Sequence, residues 1–436
     1  MLNEMNESEL KSTHLKITAL SSGGGFLDGY DLGIISVAVL LLKPEFLLSS
    51  LDVTLLLGST LLGMVFGGIS GGLLADRKGR KYLYMWDMLL FITFTVLAAI
   101  STSFAEILVF RLLLGVAIGV DYAISPTIIS EYAPAKQRGK LLTINGVFWF
   151  IGAAFSYFAG FLFSQFGDLG WRIMFLVGII PAIMILVLRS NVPESPRWLI
   201  SQGKVNEAKV SFKAVVGNDP GEYETGQSNH HLKDLFNKRY IFSTIFVLTF
   251  WFILDAATYA IALEGPTILE TGFGLSVSGA SGYASIIAML AVIGAFLTFV
   301  FIDRSGRRFV TLVGFAGMTI TLVLAALSLI DSLGVFIFLI IIVFFEILEE
   351  FGPGITSLVY PQELFPTSLR STAQGLGTTV SRIGALVGIF SFSYFSSIYG
   401  YGGGLIFLAG LSLIALIFTL AFKIEPKGKT LENLTE

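Results

Sequence analysis

Twelve apolar stretches, each about twenty residues or longer, dominate this 436-residue chain. A helix of that length crosses the hydrocarbon core of a bilayer, where only helices and closed barrels satisfy the backbone. Charged residues make up 14% of the chain, well below the share of about 25% found in soluble domains. The sequence therefore predicts an all-α membrane protein with twelve transmembrane helices. They fall near residues 16–42, 52–75, 82–101, 106–129, 140–164, 171–189, 240–264, 279–302, 309–330, 334–359, 369–397 and 402–423.

The positions of the lysines and arginines indicate how these helices are oriented. Of the 28 such residues, only Lys43 and Arg172 lie in loops that follow odd-numbered helices, and only Arg111 and Arg382 are predicted inside helices. The others lie in the termini or follow even-numbered helices. Because cytoplasmic loops collect positive charge, we predict a multi-pass protein of the cell membrane with its N- and C-termini in the cytoplasm. The polar residues 190–239 then form a cytoplasmic central loop with short amphipathic helices.

Two charged motifs occur once in each half of the chain. The motif at residues 76–81, after the second predicted helix, returns after the eighth at residues 303–308. The motif Glu-x-x-Pro-x-x-x-Arg occurs at residues 131–138 and again at 363–370. Such a repeat indicates an internal duplication, and parallel repeats of this kind build transporters with a site at mid-membrane. We therefore predict two pseudo-symmetric six-helix bundles, at residues 1–189 and 240–436.

The motifs resemble those of the major facilitator superfamily over nearly the whole chain. "GGLLADRKGRK" at 71–81 is similar to the motif of its loop between helices 2 and 3, and "RLLLGVAIG" at 111–119 to its helix 4 motif. "VPESPRWL" at 192–199 and "EPKGKTLENL" at 425–434 resemble the sugar-porter-like branch. The resemblance implies a secondary active transporter that works by alternating access between its two bundles.

The charged residues of the repeated motifs are predicted to gate the cytoplasmic side. A carboxylate at this interface can pair with an arginine or with the positive end of a neighbouring helix. Glu131 with Arg138, and Glu363 with Arg370, can form ion pairs between helices when this side is closed. The alternative is that these charges only fix the topology. The predicted gating residues are Asp76, Arg80, Glu131, Arg138, Asp303, Arg307, Glu363 and Arg370.

Acidic residues inside the predicted helices are the candidates for proton coupling. The first helix carries Asp28 and Asp31 within "FLDGYDLGIIS", three residues apart and hence on one helix face. A carboxylate at membrane depth costs about 2.5 kcal/mol or more and is functional by default. In the sugar-porter-like resemblance, the acid of "GYD" and the arginine opening the helix 4 motif couple transport to protons. These positions are Asp31 and Arg111 here, with Asp28 beside them; the alternative is a static buried ion pair.

Further polar and aromatic residues inside the helices outline a substrate pocket. Trp251, Asp255 and Tyr259 follow at i, i+4 and i+8 and form one stripe. In helix 10, three glutamates precede "FGPG", where a break in the helix would suit a cavity wall. The predicted substrate-binding residues are Asp121, Tyr122, Trp149, Trp251, Asp255, Tyr259, Glu350 and Arg382.

Several of these positions also resemble the phosphate:proton symporters of the same superfamily. Their patterns D-x-Y-D, G-x-D-Y-x-x-S and W-F-x-x-D-x-x-x-Y match residues 28–31, 119–125 and 251–259, and their helix 11 cation matches Arg382. This chain departs from them at Trp149, in a segment where they have a glutamine, and at Glu350, where they have an asparagine. It also lacks the Gln-Gln and Asn that sugar porters have in helix 7.

These patterns leave the substrate open among several classes. Aromatic rings beside carboxylates suit a sugar or related polyol, which is the reading we favour, and they also suit an organic cation or aromatic solute. Phosphate or another small anion would need Arg382 together with protonated acids. An uncoupled facilitator is a further alternative, against which the buried Asp31 argues.

The sequence also predicts which partners the protein has. No pair of nucleophile and base and no metal-ligand cluster is apparent, so we expect neither an enzyme nor a metal site or other cofactor. The net charge of −3 gives no reason to expect nucleic acid. The expected partners are a small-molecule substrate, protons and the lipid bilayer, and we expect a monomer.

Overall fold

The computed structural model describes residues 2–217 and 232–426, which are almost entirely helical and contain no β-strand. The first part of the chain supplies the first six membrane crossings. The sixth crossing consists of two helices in succession, α7 and α8. The helices are α1 (Leu2–Glu7), α2 (Ser12–Glu45), α3 (Ser50–Lys78), α4 (Arg80–Ala99), α5 (Phe104–Tyr132), α6 (Arg138–Phe163), α7 (Asp168–Val177) and α8 (Ile179–Arg189).

Two short helices, α9 (Pro196–Ser201) and α10 (Val205–Val216), lead to the second half. The remaining helices are α11 (Ile241–Thr267), α12 (Val277–Ser305), α13 (Arg307–Ile330), α14 (Val335–Glu350), α15 (Pro353–Leu364) and α16 (Thr367–Ala421). Shorter helical turns are Ala135–Gln137, Ser164–Phe166, Leu232–Phe236 and the wider π-type turn Ile268–Gly272.

The twelve predicted crossings are confirmed once two irregular helices are taken into account. Ten helical segments within the described ranges are long and apolar enough to cross a membrane. One of them, α16, has non-helical backbone angles at Gly400 and therefore comprises two crossings. The remaining crossing, the tenth along the chain, is α14 continued by α15, with an interruption at Phe351 and Gly352. This interruption is the break that "FGPG" predicted, because the ring of Pro353 cannot continue α14.

Helix starts follow capping rules that are visible in the sequence. The Ser49 hydroxyl accepts a hydrogen bond from the Asp52 backbone N–H, and the Asp52 carboxylate accepts one from the Ser49 N–H. Ser103 and Ser276 cap α5 and α12 in the same way. Each serine satisfies a backbone donor that the helix itself leaves free. The loops between crossings are short as a result.

The helices pack in corresponding pairs within each half and across the interface. α2 packs on α6 in the first half as α11 packs on α16 in the second, and α3 also packs closely on α5. A Cβ at Gly63 or Gly67 of α3 would overlap backbone atoms of α5, so glycine permits this close approach. Across the interface α3 meets α16, α6 meets α12, and α2 meets α11. A cavity remains between these contacts.

The two halves carry equivalent carboxylates at the end of the molecule that holds Arg80, Lys81, Arg307 and Arg308. We call this end the basic end. Glu194 accepts hydrogen bonds from the backbone N–H groups of Arg80 (3.2 Å) and Lys81 (3.1 Å), at the start of α4. Glu425 accepts from Arg307 (3.1 Å) and Arg308 (2.9 Å), at the start of α13. Helix N-termini favour such anions. These glutamates belong to the two sugar-porter-like motifs, of which residues 427–434 lie outside the described ranges.

Candidate functional site: a cavity between the two halves

A cavity of about 130 Å³ lies between the two halves. Its wall combines aromatic rings from both halves with four acidic side chains and one arginine. Seven of the eight predicted substrate-binding residues line it: Tyr122, Trp149, Trp251, Asp255, Tyr259, Glu350 and Arg382. The eighth, Asp121, does not line the cavity. The structure therefore brings the predicted set together, while the binding role of these residues stays a prediction.

The cation of the cavity, Arg382, is held by an acid and two aromatic rings. Its Nη1 donates a hydrogen bond of 2.5 Å to Asp255 Oδ2. The guanidinium lies 4.6 Å from the ring centres of both Tyr122 and Tyr259. A planar guanidinium suits such stacking better than an ammonium group does. α5, α11 and α16 thereby meet at one charged point in the cavity wall.

Three glutamates form the acidic side of the cavity. Glu346, Glu349 and Glu350 are the acidic residues at the C-terminal end of α14, next to the break at Gly352. Glu346 and Glu350 are buried, and their neighbour Glu349 is half-buried. Among the described residues none of the three carboxylates has a hydrogen bond or an ion pair. This side of the cavity therefore carries acids without a protein cation.

The predicted proton-coupling pair, Asp31 and Arg111, lies away from this cavity. Arg111 Nη1 donates a 2.6 Å hydrogen bond to Asp31 Oδ1, and Thr60 Oγ1 lies 3.5 Å from Asp31 Oδ2. Both charged residues are buried. A second cavity, of about 10 Å³, borders the pair and is near the smallest size that holds one water molecule. Arg111 Nε and the Thr95 hydroxyl, from residues that line it, have no hydrogen-bond partner within the described ranges.

Asp28 lies one helical turn before Asp31 and is also buried. In the part of the chain that the structure describes, its carboxylate has no hydrogen bond or ion pair. Asp31, by contrast, contacts Arg111 directly, as the sequence hypothesis expected for one state of the protein. Proton coupling by Asp28, Asp31 and Arg111 stays a prediction.

A second buried charge cluster explains where Asp121 lies. Arg189 Nη1, at the end of α8, is 2.8 Å from Asp121 Oδ1 and 3.3 Å from Asp87 Oδ2. Its guanidinium lies 3.8 Å from the centre of the Tyr84 ring, and Ser125 Oγ donates to the Asp121 carboxylate. All three charged residues are fully or almost fully buried.

This cluster corrects one statement made from the sequence. Arg111 and Arg382 are not the only cations at depth, because Arg189 is buried as well. Because Arg189 lies at the very end of an apolar stretch, we expected it in the loop that follows. Asp87 was missed although it lies inside the apolar run 82–101, where an acid signals a buried partner.

At the basic end, the charged motifs of the first half contact the second half directly. Asp76 Oδ2 accepts hydrogen bonds from the backbone N–H (2.8 Å) and the hydroxyl (2.6 Å) of Thr372. Arg80 pairs with Asp76 at 2.9 Å and with Glu131 at 3.0 Å. Glu131 also lies 3.8 Å from Arg370 of the second half. These motifs therefore link the two halves.

The charged motifs of the second half form their strong contacts within that half. Arg307 donates two hydrogen bonds to Glu363, at 2.7 and 2.9 Å, and lies 3.0 Å from Asp303. The second oxygen of Asp303 is buried without a hydrogen-bond partner. Arg138 donates to the backbone oxygen of Ser130 at 3.2 Å.

Glu131 thus lies at hydrogen-bond distance from Arg80, and Glu363 from Arg307. The pairs inferred from the spacing within each motif stay a prediction. The structure brings all eight predicted gating residues to the basic end, but it does not test their gating role.

At the end away from the basic end, neutral hydrogen bonds join the two halves. The Tyr157 hydroxyl donates to the backbone oxygen of Ala262 at 3.0 Å. Ser278 and Ser285 donate to backbone oxygens of α6 at 3.1 and 2.9 Å. These hydrogen bonds connect the two halves without any charge.

Comparison with known proteins decides the family. A family model described as "Sugar (and other) transporter" matches residues 17–436. The chain belongs to this family. Members of the family are transporters rather than enzymes, and the apolar helices of this chain are membrane helices.

Three individual proteins illustrate the similarity to this sugar-transporter family. The putative metabolite transport protein YaaU of Escherichia coli is 32% identical over 98% of this chain and 95% of its own. The putative inorganic phosphate transporter 1-13 of Oryza sativa is 31% identical over 100% of this chain and 93% of its own. The solved structure of the proton:xylose symporter XylE, bound to 6-bromo-6-deoxy-D-glucose, superimposes with a TM-score of 0.83. It is 24% identical over 97% of this chain and 98% of its own, which shows the major facilitator fold.

Proposed function

We propose that this protein is a proton-coupled symporter that moves a sugar or related polyol across the cell membrane by alternating access. The observation that carries the proposal is the buried pair of Asp31 and Arg111, which lies outside the cavity. A carboxylate that only bound substrate would line the cavity, whereas a proton carrier needs to alternate between a paired and an unpaired state.

The proposed cycle follows from charge balance. With Asp31 ionised, its attraction to Arg111 holds α2 against α5. Protonation of Asp31 removes this attraction and lets α2 and α5 shift against each other within the first half as the two halves tilt. The family description and the xylose symporter of the same fold support a sugar as the solute. The aromatic rings of the cavity suit the C–H faces of a sugar ring.

The residues of the basic end are proposed to gate the side that holds both chain termini, which we place in the cytoplasm. Asp76, Arg80, Glu131 and Arg370 connect the halves there. Arg138, Asp303, Arg307 and Glu363 are proposed to take part when the charged motifs of the second half engage the first half. The transporter is proposed to act as a monomer, since the cavity is formed within one chain.

A phosphate:proton symporter is the second candidate function. The rice relative is named as a putative phosphate transporter, and Arg382 supplies a cation in the cavity. Asp255 already neutralises this cation, and three further acids face the same space. Because these acids oppose an anion, we favour the neutral sugar.

Uptake into proteoliposomes tests both candidates. The purified protein is reconstituted, and the accumulation of labelled glucose, xylose and phosphate is measured with and without an imposed pH gradient. We expect a sugar to accumulate only when the outside is more acidic. Accumulation of phosphate alone would support the second candidate, and equal uptake with and without the gradient would contradict proton coupling.

A further inference from the structure

The acidic side of the cavity carries more negative charge than the protein neutralises. Glu346, Glu349 and Glu350 line the cavity without an ion pair in the described ranges, while the cavity's cation, Arg382, is paired with Asp255. Three ionised carboxylates in so dry a place repel one another strongly. Positive charge must therefore come from outside the described part of the protein.

α14, the helix that carries these acids, adds to the negative charge on this side of the cavity. α14 ends at Glu350, so all three side chains belong to its last two turns. The C-terminal end of a helix carries a partial negative charge of about half an elementary charge and attracts cations. Glu350 at this end and Gly354 just beyond the break both line the cavity. We call Glu346, Glu349, Glu350 and the end of α14 the acidic corner.

Unpartnered acceptor atoms in the same place indicate a ligand that donates hydrogen bonds. Glu350 Oε2 and Asn145 Oδ1 are both buried and have no hydrogen-bond partner in the described structure. Both residues line the cavity, Asn145 from α6 and Glu350 from α14. Buried acceptors of this kind are normally satisfied. An ammonium group offers three donors and no acceptor, and so it matches this set.

The aromatic residues around the acidic corner fit the same ligand. Tyr157, Trp251 and Phe338 line the cavity together with the glutamates. Aromatic faces attract cations, most strongly where water is excluded. The indole N–H of Trp149 is buried without a partner and can donate to a hydroxyl of the same solute. A metal ion fits less well, because the described ranges contain no group of three metal-ligating side chains in suitable geometry.

We propose that the acidic corner binds the protonated amine of the transported solute, so that the substrate is an amine-bearing sugar or polyol. This inference rests on the proposed function, because it assumes that a sugar-like solute occupies the cavity. The hydroxyl groups of the solute then face Trp149, Asp255 and Arg382. The ammonium group lies among the glutamates and supplies the missing positive charge.

Binding measurements with three related sugars test the proposal. Glucosamine carries an ammonium group at mildly acidic pH, N-acetylglucosamine has a neutral amide at the same carbon, and glucose has a hydroxyl. The Kd of each is measured at pH 6 on the purified full chain by tryptophan fluorescence, because Trp149 and Trp251 line the cavity. We expect glucosamine to bind about tenfold or more tightly than the other two, as charge-assisted hydrogen bonds predict.

Variants of the glutamates test whether the acidic corner causes the preference for glucosamine. Glu349→Gln and, separately, Glu346→Gln should each reduce the preference for glucosamine by several-fold. The matched control is Glu264→Gln, a buried acid of α11 that does not line the cavity, and it should keep the wild-type preference. Similar Kd values for the three sugars in the wild type would overturn the proposal. A preference that survives both glutamate variants would overturn it as well.

The outcome also separates this inference from the proposed function. If glucose accumulates under a pH gradient but glucosamine has no advantage, the amine site is wrong and the symporter stands; the corner then binds protons alone. If none of the three sugars binds or is transported, both proposals are wrong.

Discussion

The two halves of the molecule place the same acid in different surroundings. Asp31 on α2 and Asp255 on α11 both lie on the first crossing of their half, and each contacts an arginine. The partner of Asp31 is Arg111 on α5, and the pair borders only a water-sized space. The partner of Asp255 is Arg382 on α16, and that pair faces the large cavity. The helix that supplies the arginine thus determines whether the carboxylate can meet a solute or only a proton.

Of the changes that test this comparison, removing the carboxylate of Asp31 should have the largest effect on transport. Asp31→Asn keeps the shape of the side chain but cannot bind and release a proton. A gradient of one pH unit supports about tenfold accumulation for one proton per solute. We expect this accumulation to fall to none in proteoliposomes, while exchange of labelled for unlabelled substrate continues.

The control for this experiment is Glu264→Gln, which removes a buried acid that belongs to neither pair. It should accumulate substrate as the wild type does. Gradient-driven accumulation by Asp31→Asn would show that the proton site lies elsewhere, with Asp28 as the nearest alternative.

The pair in the second half should affect binding rather than coupling. Arg382→Lys keeps the charge but loses the planar group between the rings of Tyr122 and Tyr259. We expect Kd for the substrate to rise by about tenfold, in line with the loss of a charge-assisted hydrogen bond. The ratio of accumulation per pH unit should stay the same. A changed ratio with unchanged Kd would reverse the assignment of the two pairs.

The repeated basic motifs allow a matched comparison of gating. Asp76→Lys breaks two hydrogen bonds to Thr372 of the opposite half, whereas Asp303→Lys breaks an ion pair with Arg307 of its own half. We expect Asp76→Lys to shift the population about tenfold towards states open at the basic end, which corresponds to about 1.4 kcal/mol. Asp303→Lys should shift it much less.

The natural absence of cysteine makes this shift measurable. Spin labels on introduced cysteines at the exposed Gln202 and Lys423 report the separation of the halves at the basic end. Equal distance distributions for the two aspartate variants would show that the present contacts of Asp76 do not hold this end closed.

The smallest effect is expected from Glu194, outside the membrane. Burial raises the pKa of its carboxyl above the ordinary value of 4.5, with Arg80 and three backbone N–H groups opposing part of the shift. The folded protein therefore binds a proton more tightly than the unfolded chain does. The resulting stability is full below pH 4.5 and is lost as the pH rises through the raised pKa.

Thermal unfolding in detergent between pH 4 and 7 measures this contribution. Glu194→Gln should remove the decline, by less than about 1 kcal/mol since the group is partly exposed. An equal decline in wild type and variant would assign it to other groups.

Length, hydropathy and repeated motifs were enough to predict the twelve crossings and the superfamily. The helix break was predictable because Gly352 and Pro353 interrupt the backbone hydrogen bonds. Seven cavity residues could be named because Trp251, Asp255 and Tyr259 follow helical spacing and the others match known motifs.

Tertiary contacts were less accessible to sequence reasoning. The spacing within each motif did not indicate that Glu131 contacts Arg80 and Arg370, which come from distant helices. The position of Arg189 at a helix end looked like that of an ordinary loop cation. Only the folded arrangement of α4, α5 and α8 reveals its two acidic partners.

The Arg189 cluster has a consequence for how the first half moves. α8 belongs to the crossing with one of the smallest buried shares, so apolar packing alone holds it loosely. One guanidinium fastens its end to α4 through Asp87 and to α5 through Asp121. Breaking either contact would strand a charge in the bilayer, which is far costlier than loosening an apolar surface. α4, α5 and α8 are thereby obliged to move as a rigid body, so that a tilt that starts at the cavity wall is carried to the lipid boundary.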